Sequence, residues 1–352
     1  MKICLITDTH FGIRNDNQHV LDFQKKFLDE VFFPTLDREG IKEIIHLGDL
    51  VDKRTTINIK THSRLRSDFL EQLAARNIKM TILLGNHDIF LKNSLRYNAV
   101  YEFTQHYPNV SIVDKPTYYT DDILLVPWIC AENQDEILET IATTQAQALM
   151  GHFEIQGFEF HKGVHSTHGM DSSLFEKFSF VGSGHFHHKS DYKGIHYLGS
   201  PWETNWADYN DTKGFHLFDT FDFGLTFIKN PYKLLHKVKY DDKGKTFEDI
   251  LNVDFAQFHG CYVKVIVQSK DNPFWYDTFI TKIEEAGAIA VKPVDDHLNL
   301  NSVDDDDILE GTETTVDIIN KNIEAANLDD AKKTLLKEVF TRLHQEAIAL
   351  QN

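Results

Sequence analysis

The chain has 352 residues, 41% hydrophobic and 26% charged, which excludes a disordered, fibrous or membrane-embedded protein and leaves room for two domains. Its 54 acidic and 36 basic residues leave a formal charge of −18, so bulk attraction to nucleic acid cannot be assumed and a polyanionic partner needs a local charge that offsets that field. Cys4, Cys130 and Cys261 lie far apart without CxxC spacing, and MKICLITDTHFG at the start is too short in apolar length for a signal or a spanning helix. A cytoplasmic location with no membrane contact is expected.

In chain order, short apolar runs alternate with longer amphipathic stretches over residues 1–230, the pattern of a layered α/β domain. Strands are predicted at Lys2–Thr7, Glu43–Leu47, Lys79–Leu84, Asp122–Val126, Ala146–Met150 and Ser179–Gly182. Helices are predicted near His19–Arg38, Ile57–Arg76, Asn98–His106 and Asn133–Thr143, with Pro34 expected to kink or end the first. From Pro231 to Pro293 the pattern becomes strands with one helix, so residues 231–298 are expected to form a small α+β cap domain. Residues 299–314 contain Asp304 to Asp307 in succession and read as an acidic linker, followed by a helical tail over 315–352.

The chemistry-bearing residues fall at the ends of the predicted strands: Asp8 and His10, Gly48-Asp49, Gly85-Asn86-His87-Asp88, Gly151-His152, and Gly184-His185-Phe186-His187. In an α/β sheet the carboxyl ends of the strands share one edge, so residues distant in sequence meet there. Aspartate, histidine and asparagine without cysteine suit divalent ions such as manganese or iron, and two ions need one bridging carboxylate. The glycines let backbone segments turn tightly and approach one another. Each piece alone has a plainer account: Asp-x-His as a capped turn, Gly-Asn-His-Asp as an ordinary turn, His-x-His as two solvated residues on one strand face. Five such pieces in succession, each behind an apolar strand, favour a dinuclear metal site.

DTH, GD, GNHD, GH and GHFH, in this order, resemble the signature of the calcineurin-like metallophosphoesterases over residues 1–220. Within them the chain is most similar to the SbcD-like double-strand-break repair nucleases, and above all to their T4-type phage branch. The segments carrying that likeness are Leu83 to Asp88, Val126 to Glu132, Gly151 to Gly163 and Tyr197 to Gly214. The resemblance implies a four-layer α/β sandwich with a small cap and carboxyl-terminal helices. It implies that Asp8, His10 and His187 hold one divalent ion, that Asn86, His152 and His185 hold the other, and that Asp49 bridges them. Manganese is the expected metal. His87 is implied to stand beside the scissile phosphate as a catalytic group rather than a ligand, with Asp88 either accepting from His87 or capping the next turn.

The implied function is a DNA exonuclease or endonuclease subunit of a recombination and repair complex, in the host cytoplasm if phage-encoded. Its implied partners are DNA, a second copy of the chain, and a coiled-coil ATPase subunit docked on 315–352. The alternatives are a small-substrate phosphatase or cyclic phosphodiesterase, and a non-catalytic scaffold. Where many family members carry histidine this chain has Asp52, which repels phosphate or pairs with Lys53 or Arg54 on a turn. Lys53, Arg54, Lys60, Arg64 and Arg66, with Lys162, His165 and His168, are candidate DNA contacts or solvated faces. Trp202 and Trp206 are expected to pack rather than stack on bases. Leu65, Phe69, Leu70 and Leu73, with Val100, Tyr101 and Phe103, form faces that either meet a second copy or pack on their own sheet. On the tail, Val316, Ile319 and Ile323 share one face, and Leu335, Leu336, Val339, Phe340 and Leu343 form an apolar stripe.

Overall fold

The computed structural model describes residues 1–295, 323, 332–337 and 339–340. The chain divides into two compact units, residues 1–298 and 299–352. In the second unit residues 332–337 and 339–340 are helical; the predicted linker at 299–314, with Val316, Ile319 and Leu343, lies outside the described residues.

Two six-stranded sheets form the centre of the first unit. One has the order Leu225–Lys229, Gly214–Asp219, Lys2–Ile6, Glu43–His46, Lys79–Leu83, Val110–Val113, its last four strands mutually parallel. The other has the order Ser190–Tyr192, Ile195–Tyr197, Phe180–Gly184, Ala148–His152, Ile123–Val126, Thr117–Thr120, with its central four parallel. Successive side chains on a strand point to opposite faces, and here both faces are covered. Ile3, Leu5, Ile45 and Leu47 meet Ile123, Leu125, Ala148 and Met150 between the sheets. Cys4, Ile6, Ile44, Met80 and Ile82 face outward, under the helices that contribute Phe27, Phe32, Phe69 and Leu73. The Gln134–Thr143 helix covers the second sheet with Ile137 and Ile141 on Leu124 and Leu149. The result is four layers, helix, sheet, sheet, helix, with parallel strands that are apolar on both faces as such burial requires.

Two alternatives left open by the sequence are narrowed at the helices. Pro34 does not end the first: the backbone stays helical through Phe32 and Phe33, and a widened turn at Leu28–Phe32, closed by Phe33 N–H donating to the Leu28 carbonyl, accommodates a residue that cannot donate. Leu65, Phe69, Leu70 and Leu73 are fully buried in the chain's own core, and Val100 and Phe103 are buried too, so these faces are covered within the chain. Tyr101 is exposed.

Residues Leu235–Asp241, Tyr262–Ser269 and Ala290–Asp295 make a separate three-stranded parallel sheet with its own core of Tyr240, Val263, Val265, Phe279 and Ile283. Two helices, Phe247–Leu251 and Pro273–Glu285, accompany it where one was expected. Among the described residues no helix is long and apolar enough to cross a membrane, and all three cysteines are buried free thiols.

Candidate metal centre

Each functional side chain sits at the end of a parallel strand: His152 is the last residue of its strand, and the others are carried by the turns that follow. Asp8, His10, Asp49 and His185 have φ of 52°, 41°, 56° and 84°, a left-handed conformation disfavoured for residues other than glycine by about 1–3 kcal/mol each. The fold compensates with hydrogen bonds: Asp8 N–H donates to the Gly48 carbonyl at 3.0 Å and His10 N–H to the Asp49 carbonyl at 3.1 Å. Gly48, at φ 99°, has no room for a side chain, since a Cβ there meets His152 Nδ1 at 2.6 Å; one on Gly85 meets Asp49 Oδ1 at 2.3 Å. These are the close approaches that bring the two sheets' strand ends into one cluster.

The cluster gathers all eight residues singled out in the sequence. His10 Nε2 faces His187 Nε2 at 3.0 Å and lies 3.9 Å from Asp8 Oδ1. Asn86 Oδ1 lies 3.0 Å from both His152 Nε2 and His185 Nδ1. Between these groups, Asp49 Oδ2 stands 3.7 Å from His10 Nε2 and 3.3 Å from His152 Nε2. His87 donates Nδ1–H to the Asp52 carbonyl at 2.7 Å, and its ring stands edge-on to His10 with centroids 4.8 Å apart. Within Asp8–His10–His187, and again within Asp49–His152–His185, the potential ligand atoms lie within 4.8 Å of one another.

The donor set fits two divalent cations. It is all imidazole nitrogen and carboxylate or amide oxygen, and His10 Nε2 and His185 Nδ1 each face another potential ligand atom at 3.0 Å. Burial, helped by neighbouring histidines, holds His10 and His185 well below the usual imidazole range, and burial takes His187 down to about 4 although Asp208 opposes it. Neutral imidazole is the ligating form. Burial also opposes charge on Asp49, yet His152 and His87 hold its carboxyl well below the carboxylate range. Asp8 is pushed by burial up to about 7, a cost that a bound cation reverses. His152, which burial would lower, is raised to about 9 by Asp49, while its Nδ1–H donates to the Leu47 carbonyl at 2.7 Å and leaves Nε2 facing the cluster.

Asp88 does neither of the things expected of it. Its buried carboxylate accepts the N–H groups of Asp49 at 2.8 Å, Leu50 at 2.9 Å and Gly85 at 2.9 Å, bracing the loop that carries Asp49. Asp52 directs Oδ1 at His10 Nδ1, 3.7 Å away, whereas Lys53 pairs with Asp16 at 2.8 Å and Arg54 donates to the Ile89 carbonyl at 3.0 Å.

A sequence profile described as calcineurin-like phosphoesterase matches residues 1–189. The chain is 32% identical over 353 residues, 99% of both chains, to "Exonuclease subunit 1" of Enterobacteria phage T4. The chain belongs to the calcineurin-like phosphoesterases. It is also 26% identical over 199 residues to the "DNA double-strand break repair protein Mre11" of Sulfurisphaera tokodaii, covering 53% of this chain and 49% of that one. A solved structure, "Structural and Functional Characterization of a Novel Archaeal Phosphodiesterase", aligns with TM-score 0.34 and 13% identity, over 65% of this chain and 100% of that one.

Around the centre of this phosphoesterase, the sequence left several partners unassigned. Trp128 stands with its ring centroid 5.1 Å from that of His185 and 5.8 Å from that of His152. Thr204 Oγ1 lies 2.9 Å from His187 Nδ1. Both lie in segments that carried the family likeness, but no residue type there announces a role. Trp202 is fully buried against Phe11 and Phe27, in the core rather than on a cleft wall. Among the candidate DNA contacts, Arg64 is engaged by Asp22 and Asp68 and Arg66 by Glu71, while Lys60, Lys162, His165 and His168 are exposed.

Proposed function

We propose that this chain is a metal-dependent DNA nuclease, the phosphodiesterase subunit of a recombination and repair complex. The observation that carries this is the match to a phage exonuclease subunit along 99% of both chains, in a chain whose motif residues gather into one buried cluster. In this reading Asp8, His10 and His187 hold one cation, Asn86, His152 and His185 hold the other, and Asp49 joins them; manganese is the proposed metal. Two such cations, when bound, polarise phosphoryl oxygens and lower the pKa of water, so that hydrolysis proceeds at neutral pH.

The chain's own residues supply the rest. Asp49 and Asp8 bring negative charge that the cations balance, and the neutral ring nitrogens complete the shell. His87 is the catalytic group beside the scissile phosphate. With Nδ1–H donated to the Asp52 carbonyl, Nε2 is the nitrogen that, when protonated, would stabilise a phosphoryl oxygen or pass its proton to the departing oxygen.

The proposal extends to the partners. The small domain proposed at 231–298 is the cap that borders DNA, and the tail at 315–352 docks on a coiled-coil ATPase subunit. A homodimer face is proposed on the exposed Ile57, Ile59, Phe90, Tyr97 and Tyr101, in place of the buried stripe. The proposed working compartment is the cytoplasm, that of the host if the chain is phage-encoded.

The decisive experiment incubates the full chain with manganese and linear, hairpin or circular single-stranded DNA, and in parallel with mononucleotides and cyclic nucleotides. Metal-dependent DNA cleavage is expected. Turnover of the small esters with DNA untouched overturns the nuclease assignment.

A further inference from the structure

His152 is oriented by a rigid strand: its Nδ1–H reaches the Leu47 carbonyl next to a core strand. His187 has no such neighbour and depends on a strap from residue 203 to 208. Thr204 Oγ1 donates to Asp208 Oδ2 at 2.6 Å, so it accepts from His187 Nδ1–H at 2.9 Å. Asp208 itself is 3.9 Å from that nitrogen, too far for a direct hydrogen bond, so the hydroxyl relays between them. Asp208 Oδ2 also takes the Thr204 N–H at 2.7 Å, and its Oδ1 takes Lys213 Nζ at 2.7 Å. Lys213 closes the ring by donating to the His187 carbonyl at 2.7 Å. Ring and backbone of His187 are therefore held by one buried network.

The same strap is tied to the smaller sheet, both directly and through Arg14. Arg14 Nε donates to the Thr204 carbonyl at 2.9 Å while its guanidinium lies 4.8 Å from the ring centroid of Tyr262, on the central strand of that sheet. Glu203 Oε2 accepts the N–H groups of Leu234 at 2.7 Å and Leu235 at 2.9 Å, where that sheet begins. Lys264 Nζ sits 4.1 Å above the Trp206 ring and Lys237 Nζ 4.6 Å from the Tyr209 ring. Glu203 and Trp206 thus have partners on or beside the smaller sheet, and Thr204 is tied to it through Arg14 and Tyr262.

We propose that Thr204 is a positioning residue for His187 and that the 203–208 strap makes the His187 side of the metal centre answer to the placement of the smaller sheet. The inference rests on the two-metal reading above. Hydrogen bonds behind a ligating histidine set its tautomer and direction, and their loss lowers metal affinity by about 10–100-fold. Here the relay fixes the proton on Nδ1 and leaves Nε2 for the cation.

The test is calorimetric titration of the full chain with manganese chloride alone, alongside histidine ring ¹⁵N spectra of the metal-free protein, with His187 assigned by loss of its signals in His187→Gln. The expected results are a Nδ1–H tautomer of His187 in the wild type and manganese binding at one of two sites weakened about 10–100-fold in Thr204→Val, with Thr204→Ser restoring it to near wild type. Trp206→Leu, which leaves Thr204 intact, is expected to weaken the same site by a smaller factor. A Nε2–H tautomer in the wild type, or unchanged affinity in a folded Thr204→Val, overturns the positioning role. Weakening in Thr204→Val with none in Trp206→Leu overturns the link to the sheet. If the wild type binds no manganese, the two-metal reading itself fails, a result distinct from either.

Discussion

The buried carboxylate of Asp88 accepts the backbone N–H of Asp49 at 2.8 Å, so a residue five positions beyond the Lys79–Leu83 strand holds the proposed bridging aspartate, behind a neighbouring strand, in its left-handed turn. Asp88→Asn exchanges one acceptor oxygen for a donor that faces N–H groups. Bonds to a charged acceptor are worth about 1.5–3 kcal/mol, and urea unfolding is expected to report a loss of that order together with weakened manganese binding. Wild-type stability in this variant would mean that the loop holds its shape without the brace.

Asp49 lies between the two ligand groups, and its removal is expected to disable both. Asp49→Ala should keep the fold, by circular dichroism, and abolish metal-dependent cleavage. Near-normal cleavage would sink the dinuclear reading.

His87 behaves differently in this scheme because its removal leaves the seven proposed ligands in place. His87→Ala is expected to bind manganese with near wild-type affinity while turnover falls by about 10²-fold or more, the range for a lost proton donor or charge stabiliser. A calorimetric titration in which metal binding disappears would make His87 a ligand instead.

Lys213 and Asp208 form an ion pair in which both side chains are almost fully buried. Lys213→Met leaves Asp208 buried without its cation, and breaking one side of such a pair costs about 3–5 kcal/mol. The pH dependence has a definite sign. Burial opposes the charge on Asp208, but Lys213 and His187 hold its carboxyl below its usual range, so its contribution is present above the unfolded value near 4 and is lost as pH falls through the lower folded one. The stability gap between the metal-free wild type and Asp208→Asn should therefore be constant above pH about 5 and shrink on acidification. A gap that widens as the pH falls contradicts this assignment.

The tail is testable by deletion. Removing residues 312–352 is expected to leave a folded, manganese-dependent nuclease that no longer copurifies with the proposed coiled-coil ATPase subunit or responds to ATP. Undiminished copurification would place the main contact elsewhere.

The layered fold and the composition of the cluster were legible in the sequence because they rest on local regularities. Strands such as Lys2–Ile6 are apolar on both faces and end in Asp-Thr-His; parallel strands send such ends to one edge, so order along the chain was enough to bring Asp8, Asp49 and Asn86 together, whereas His152 and His185, on the second sheet, join them only through the packing of the two sheets. Periodicity identified the Leu65–Leu73 face as apolar, but periodicity does not say what covers a face, and only packing assigned it to the chain's own core. The tertiary structure alone decided the partners of polar groups. Asp88 turned to Asp49 rather than His87, and Thr204 to His187 across 17 residues, because burial obliges each donor and acceptor to find whichever counterpart the fold brings near. Spacing along a chain carries no record of that choice, since it is made by strands and loops that meet only after folding.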